Sequence, residues 1–82
     1  MDLIALTETI IKKIVKESES VSVKEFESEE DDTIQIEVVV SEDDLGKVIG
    51  KNGRTINSIR TIVQASASLN NNKKVRINVD SY

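Results

Sequence analysis

The chain has 82 residues, of which 38% are hydrophobic and 32% charged, and this composition predicts one small folded domain over residues 1–82. It contains no cysteine and no histidine, which excludes a disulfide framework, a Cys/His zinc site and any catalytic group of those two types. Phe26 and Tyr82 are the only aromatic residues, which argues against a binding mode that stacks several bases on aromatic rings.

The net charge of −4 conceals an uneven distribution. Residues 1–46 hold fourteen acids and four lysines, whereas residues 47–82 hold seven basic residues and a single acid. Salt screens charges that lie more than about 8–10 Å apart, so the local charge matters more to a partner than the total. The basic second half favours a polyanionic partner, and the alternative is a solvated basic helix face.

No apolar run approaches the roughly 20 residues that a membrane-spanning helix requires, and no secretory signal is visible. The lack of cysteine is compatible with a reducing compartment. We therefore expect an intracellular soluble protein without a membrane span.

The first part of the chain predicts a helix followed by a strand. Over residues 2–17, apolar residues recur at spacings of three, four and seven, which is typical of an amphipathic helix, and Asp2 is a suitable N-cap. Alternating valines predict a strand over residues 20–26. Phe26 breaks that alternation, so we expect a bulge or the end of the strand near Glu25.

The middle of the chain predicts an exposed turn, a strand and a short helix. Five of the six residues from 27 to 32 are acidic, which is too much charge to bury. Residues 33–40 carry an apolar residue at every second position and form the clearest strand. Ser41 is followed by three acids, so we expect its side chain to cap a helix that ends before Gly50.

The last part of the chain predicts a third helix over residues 54–69, a turn at the three asparagines 70–72, and a strand over residues 73–79. In that strand the inward side chains are those of Val75, Ile77 and Val79. The resulting order is α-β-β-α-α-β, with one apolar face or stripe on each element. This order predicts an α+β fold, a two-layer sandwich with a three-stranded sheet.

All three glycines lie within residues 46–53, where Gly-Lys-Asn-Gly joins two predicted helices. Such a sharp turn requires positive φ, which glycine allows, and the absence of a side chain lets another backbone approach closely. The following helix presents free N–H groups and the positive end of its dipole beside Lys47, Lys51 and Arg54. This combination suits a phosphodiester backbone, which is contacted through amides and cations.

Other interpretations of these glycines are weaker. A plain helix–turn–helix corner, with Gly50 as its C-cap, is the structural alternative, since GxxG alone matches many surface turns. A P-loop is excluded because only three residues separate Gly46 from Gly50 and Asn52 stands where Ser or Thr is required. The flanking strands and the acidic first half disfavour a DNA-reading helix–turn–helix.

The sequence around the turn resembles the signature of a KH domain. It reads Val-Ile-Gly-Lys-Asn-Gly-Arg-Thr-Ile over residues 48–56, and KH domains clamp about four nucleotides with a GXXG loop. The helix-first, strand-last order resembles the type II KH arrangement of bacteria and covers residues 2–80. Residues 46–63 and the strand at 73–77 are similar to the small stand-alone KH proteins of bacteria, the KhpA (YlqC) family.

This resemblance implies a cytoplasmic, non-catalytic binder of single-stranded RNA that needs no cofactor. It implies a homodimer or a heterodimer with a larger KH-containing partner, KhpB. It also implies a role as an RNA chaperone or post-transcriptional regulator, linked to cell-wall homeostasis and cell shape. The RNA-binding residues that we predict are Lys47, Ile49, Gly50, Lys51, Asn52, Gly53, Arg54 and Asn57. The acidic residues 27–32 would weaken RNA binding if they bordered the groove.

Three side chains near the motif have more than one interpretation. Ile49 and Ile56 each either line the base-contacting groove or belong to the core, and the core is favoured for Ile56. Asn57 either hydrogen-bonds a base edge or sugar, or is an ordinary exposed helix residue.

Four residues further along the chain have open roles. Arg60 and Arg76 are expected to supply general electrostatics or surface pairs. Ile62 and Leu69 lie off the main apolar stripe of their helix, and they either widen the core face or form a dimer patch.

Acidic pairs are the remaining candidates for chemistry. Asp43 with Asp44, or the run 29–32, would have to converge to hold Mg²⁺ or to act as an acid–base pair, but they read as a helix cap and a solvated turn. We therefore predict no metal site and no enzyme. The alternative function is a protein-interaction adaptor with a KH fold and weak RNA affinity, which the modest basic patch and the acidic first half favour.

Overall fold

A computed structural model of the chain describes residues 2–30, 32–70 and 73–82. The elements run in the order α1 (Leu3–Ile14), β1 (Ser22–Glu27), β2 (Thr33–Val40), α2 (Glu42–Ile49), α3 (Arg54–Asn70) and β3 (Lys74–Ser81). Single 3₁₀ turns at Ser18–Ser20 and Lys51–Gly53 precede β1 and α3. The predicted α-β-β-α-α-β order is confirmed. Of the predicted asparagine turn, Asn71 and Asn72 lie outside the described residues, and so does Asp31 of the acidic turn.

The three strands form one mixed sheet in the order β1-β2-β3, with β2 antiparallel to β1 and parallel to β3. Pairing between β1 and β2 runs unbroken from Ser22 opposite Val39 to Glu27 opposite Ile34. Of the two alternatives predicted near Glu25, the bulge is therefore absent, and the strand ends two residues further on, at Glu27. Phe26 keeps the alternation and simply belongs to the outer face, where its side chain is 51% exposed.

The core lies between one face of the sheet and the three helices. Strand β2 contributes its alternate apolar residues, all of them buried, and α3 contributes Ile56, which is 5% exposed as predicted for a core residue. Val75 and Val79 of β3 pack against this core and Ile77 is buried within it. The complete buried set is Leu3, Ile11, Val23, Ile34, Ile36, Val38, Val40, Val48, Ile56, Ile59, Val63, Ala67 and Ile77. The predicted two-layer α+β sandwich is confirmed.

Helix α1 begins as predicted and ends earlier than predicted. Asp2 is its N-cap, accepting a hydrogen bond on Oδ1 from the Ile4 N–H at 2.9 Å. The helix was expected to reach residue 17, but it ends at Ile14. The reason is tertiary, because the N–H groups of Lys16 and Glu17 donate to the carboxylate of Asp44 at 3.0 and 2.9 Å.

Helix α2 starts after Ser41, which occupies the N-cap position. The predicted side-chain cap is wrong, because the Ser41 hydroxyl donates to Asp44 Oδ2 at 3.1 Å instead of accepting from the helix backbone. Ser41 accepts the Asp44 N–H only through its carbonyl, at 3.0 Å. Asp44 already occupies the hydroxyl, so the two side chains together fix the helix start.

Strand β3 is an edge strand whose free backbone groups are covered by side chains of α3. Gln64 accepts from the Val75 N–H and donates to the Lys73 carbonyl, both at 2.8 Å. Arg60 Nη2 donates to the Ile77 carbonyl at 2.9 Å. Pairing these groups blunts the edge against association with another strand.

None of the helices in the described part of the chain has the length and apolarity that a membrane-spanning segment requires.

Candidate nucleic-acid interface

The turn between α2 and α3 is built on three left-handed residues. Gly50 closes α2 with φ 75° and ψ 174°, and its N–H donates to the Gly46 carbonyl at 2.8 Å. Asn52 has φ 58° and Gly53 has φ 75°. The Gly53 N–H donates to the Gly50 carbonyl at 3.2 Å, which closes the 3₁₀ turn. We call residues 50–53 the GxxG loop.

The GxxG loop approaches the first turn of α3 closely at one of its two glycines. A Cβ added to Gly50 would lie 2.9 Å from the Thr55 backbone nitrogen and 2.7 Å from Thr55 Cβ, closer than such atoms pack. A Cβ added to Gly53 would meet only Asn57 Nδ2, at 3.7 Å, an ordinary contact. Gly50 therefore has no room for a side chain, whereas Gly53 is constrained by its backbone angle alone.

Two of the three predicted cations beside the GxxG loop are unpaired. Lys51 and Arg54 are exposed and form no ion pair with other described residues. The Lys47 ammonium lies 3.6 Å from Asp44 Oδ1, so part of its charge is neutralised. Helix α3 has no acid in its first turn to compete for its N-terminal N–H groups. The surface at this end of α3 is thus open to an anion.

The two remaining predicted site residues lie before and after the GxxG loop in the chain. Ile49, the last residue of α2, is 36% exposed and is available as an apolar surface beside Gly50. Asn57 is exposed on α3, and its Oδ1 accepts from Arg60 Nη1 at 3.1 Å. Arg60 therefore makes specific hydrogen bonds to Asn57 and to the β3 backbone. Its predicted role, general electrostatics or a surface pair, did not anticipate these bonds.

The acidic residues before β2 lie at the opposite end of α3 from the GxxG loop. The Asp32 carbonyl accepts from the Lys74 N–H at 2.8 Å, and Glu30 pairs with Arg76 at 3.2 Å, as expected for a surface pair. Lys74 follows the C-terminus of α3, a helix of 17 residues and hence about 25 Å long. At that distance, beyond the Debye length in physiological salt, Glu30 and Asp32 do not border the loop.

Asp44 is a key residue whose role the sequence did not indicate. It is 1% exposed, although the residue pattern predicted only an acid of a helix cap. The backbone N–H groups of Glu17 and Lys16, then the Ser41 hydroxyl, hydrogen-bond its carboxylate and, with nearby Lys47, hold its pKa below the ordinary value despite burial. Since Lys47 stands beside it, Asp44 anchors both the segment that follows α1 and one flank of the candidate site.

No other chemistry was found in the described part of the chain. Within residues 2–30, 32–70 and 73–82, no three acidic side chains converge closely enough to hold a metal ion. Asp43 is exposed, and the Asp44 oxygens are occupied by donors from the chain itself.

Helix α3 also carries exposed apolar residues that lie outside the hydrophobic core of the described residues. Ile62 is 50% exposed and Leu69 is 87% exposed, so neither widens the core. With Ala65, which is also exposed, they form a stripe at spacings of three and four on one side of the helix.

Comparison with known proteins gives the same family for nearly the whole chain. The family described as "KhpA/KhpB, KH domain" matches residues 5–79. The RNA-binding protein KhpA of Clostridium perfringens (strain 13 / Type A) is 46% identical over 74 residues, which are 90% of this chain and 95% of that protein. The RNA-binding protein KhpA of Thermotoga maritima is 43% identical over 74 residues, covering 90% of this chain and 93% of its own length.

Solved structures give the same fold at much lower identity. Part of Era, in a crystal structure of Era in complex with MgGDPNP and nucleotides 1506–1542 of 16S ribosomal RNA, superposes with a TM-score of 0.73 and 19% identity. That match covers 96% of this chain and 29% of Era, and Aquifex aeolicus Era bound to GDP·AlF₄⁻ gives a TM-score of 0.75 at 20% identity. The fold is that of a type II KH domain. The chain belongs to the KhpA/KhpB family of KH domains, a family whose members are not enzymes.

Proposed function

We propose that this chain binds single-stranded RNA without catalysis and holds the sugar–phosphate backbone at the GxxG loop. Its relatives are named RNA-binding proteins. The observation that carries the proposal is the open end of α3, where a left-handed loop, free helix N–H groups and the unpaired Lys51 and Arg54 converge. Such a surface offers amide donors and positive charge to phosphate oxygens.

Each predicted site residue has a role in this proposal. Gly50 lets the loop turn tightly against Thr55 of α3, Gly53 keeps a side chain away from the approaching strand, and Asn52 supplies the left-handed backbone between them. Lys51, Arg54 and, more weakly, the partly neutralised Lys47 attract phosphates. Ile49 offers an aliphatic surface to an unstacked base, and Asn57 a polar contact on α3.

The cellular role is proposed from the resemblance to the family. We propose a cytoplasmic RNA chaperone or post-transcriptional regulator, connected to cell-wall homeostasis and cell shape. We also propose that residues 1–82 constitute one KH domain, a reading supported by the family match over residues 5–79.

The proposed RNA site is tested by replacing Lys51 and Asn52 together with aspartate. Two carboxylates in the loop repel phosphate, and we expect RNA affinity to fall by about 100-fold or more in a fluorescence anisotropy titration. The fold should survive, because aspartate tolerates the left-handed conformation of position 52 nearly as well as asparagine.

A matched control for this variant is Lys73→Asn with Lys74→Asp. It changes the net charge by the same amount on two exposed residues at the far end of α3. We expect it to bind RNA with a modest, salt-sensitive loss. Equal losses in the two variants would mean that total charge, and not the GxxG loop, governs binding.

We further propose a homodimer, and a heterodimer with a KhpB-like protein, through the exposed stripe on α3. Burying Ile62 and Leu69 of both copies in a symmetric contact would contribute roughly 1.5–3 kcal/mol for each fully buried side chain. The same exposed stripe is the observation that favours the adaptor function as a second candidate. An adaptor would form the dimer and leave RNA unbound at low salt.

Leu69→Glu tests this dimer. A carboxylate in an apolar contact is expected to raise the dimer dissociation constant by about 100-fold or more, measured by sedimentation velocity. Ser68→Glu adds the same charge one residue away, off the stripe and on an exposed position, and should leave the association unchanged. A Leu69→Glu protein that associates like the wild type would place the interface elsewhere.

A further inference from the structure

Arg60 is held in one orientation between α3 and β3. Its Nε and Nη2 donate to the Ile77 carbonyl at 3.3 and 2.9 Å, and its Nη1 donates to Asn57 Oδ1 at 3.1 Å. Three hydrogen bonds to two partners leave the guanidinium little freedom, although the residue as a whole is exposed.

This arrangement fixes which way the Asn57 amide points. An arginine side chain carries only donors, so Asn57 must turn its oxygen toward Arg60 and its NH₂ group away. Asn57 Nδ2 then lies on the side of the GxxG loop, 3.7 Å from where a Cβ on Gly53 would be. No acceptor within the described part of the chain satisfies this NH₂ group, and the residue is exposed.

We propose that Asn57 is a donor-only contact for a hydrogen-bond acceptor of the nucleotide held at the GxxG loop, and that Arg60 is the positioning residue that makes it so. This inference rests on the proposed RNA site. The ligand atom is an acceptor, either a phosphate oxygen or an acceptor on a base edge, and a group that offers only a donor is rejected.

Asn57→Ala and Asn57→Asp test the contact. Both variants remove the NH₂ donor, and the second keeps the shape of the side chain. We expect Asn57→Ala to weaken RNA binding roughly five-fold, the value of one net hydrogen bond, and Asn57→Asp to weaken it further. Wild-type affinity in Asn57→Ala would overturn the inference.

Affinity titrations with short homopolymeric oligonucleotides of U, C and A, carried out on wild type and on Asn57→Ala, identify which part of the nucleotide supplies the acceptor. A phosphate acceptor predicts the same fold-loss on every sequence, whereas a base acceptor predicts a loss that differs between them. Either result supports a donor contact from Asn57.

A double-mutant cycle tests whether Arg60 acts through Asn57. Arg60→Gln removes the charge and also frees the Asn57 amide, because a glutamine offers both a donor and an acceptor. We expect Arg60→Gln to raise the RNA dissociation constant by a factor that is at least two-fold larger in the wild-type background than in the Asn57→Ala background. Equal losses in both backgrounds would mean that Arg60 contributes only its charge, which overturns its positioning role. Arg60→Lys keeps a donor-only cation and should retain more affinity than Arg60→Gln.

Gln64→Ala is the control for a purely structural effect, since Gln64 also bridges α3 to the β3 backbone. It should lower the unfolding midpoint in urea without changing RNA affinity. A loss of affinity equal to that of Arg60→Gln would assign the effect to the α3–β3 bridge and overturn the inference. If the loop variant with two aspartates loses RNA while Asn57→Ala does not, only this inference fails. If the loop variant also binds normally, the proposed RNA site fails with it.

Discussion

Replacing Gly50 with alanine is expected to destabilise the protein by about 3 kcal/mol or more, combining backbone strain with overpacking. The backbone of Gly50, at φ 75° and ψ 174°, lies in a region that is populated almost exclusively by glycine. Its new Cβ would also stand 2.9 Å from the Thr55 nitrogen. That atom belongs to the first turn of α3, so relief requires the helix to move, with Ile56 buried next to it.

The other two glycines provide matched controls in urea unfolding. Gly53→Ala should cost about 1 kcal/mol, because its backbone is left-handed but the space beside it is open. Gly46→Ala should be neutral or stabilising by about 0.5–1 kcal/mol, since Gly46 is helical and nothing lies within 4 Å of its added Cβ. A Gly50→Ala protein as stable as Gly53→Ala would contradict the close approach of the loop to Thr55.

The fold could be predicted from the sequence wherever one periodicity governs burial. Strand β2 alternates strictly, and its inward residues are the buried ones. The GxxG loop could also be located, because positive φ leaves few choices besides glycine and asparagine at positions 50, 52 and 53. Phe26 is an exception, because it is an apolar residue on the outer face, and apolarity alone makes it look like a break in the alternation.

Tertiary hydrogen bonds could not be predicted in the same way. Asp43 and Asp44 are identical in type and adjacent in the chain, yet Asp43 is exposed and Asp44 is buried, with 1% of its surface accessible. The difference arises because backbone N–H groups some 28 residues earlier in the chain converge on Asp44. Arg60 is a similar case, because its partner Ile77 lies 17 residues away on another element. No local pattern encodes such contacts.

Replacing Asp44 with asparagine is expected to lower the melting temperature by roughly 5–10 °C at neutral pH. Both carboxylate oxygens accept hydrogen bonds, from Lys16 and Glu17 backbone N–H groups and from Ser41. An asparagine has one acceptor oxygen, and its NH₂ group would face a donor and leave that donor unsatisfied. Asp43→Asn removes the same charge from the exposed neighbour and should stay close to wild type.

The pH dependence of stability provides a second test of Asp44. The hydrogen bonds from Glu17 and Lys16 hold the pKa of Asp44 in the folded protein below its ordinary value. The unfolded chain therefore takes up the proton first as the pH falls. The stabilisation by the charged carboxylate is fully present above the ordinary pKa and is lost as the pH falls through the lowered pKa. The difference in unfolding free energy between wild type and Asp44→Asn should therefore narrow between about pH 5 and pH 2.

The difference in unfolding free energy isolates Asp44 from the many other acids of the chain. They titrate in both proteins and cancel in the difference between the two unfolding free energies, which leaves the contribution of Asp44. A difference that stays constant down to about pH 2 would mean that the carboxylate is not held in its charged form by these bonds. The cost of Asp44→Asn would then be the same at every pH, and the tether that ends α1 and fixes the start of α2 would depend on hydrogen bonds and shape that do not require the charge.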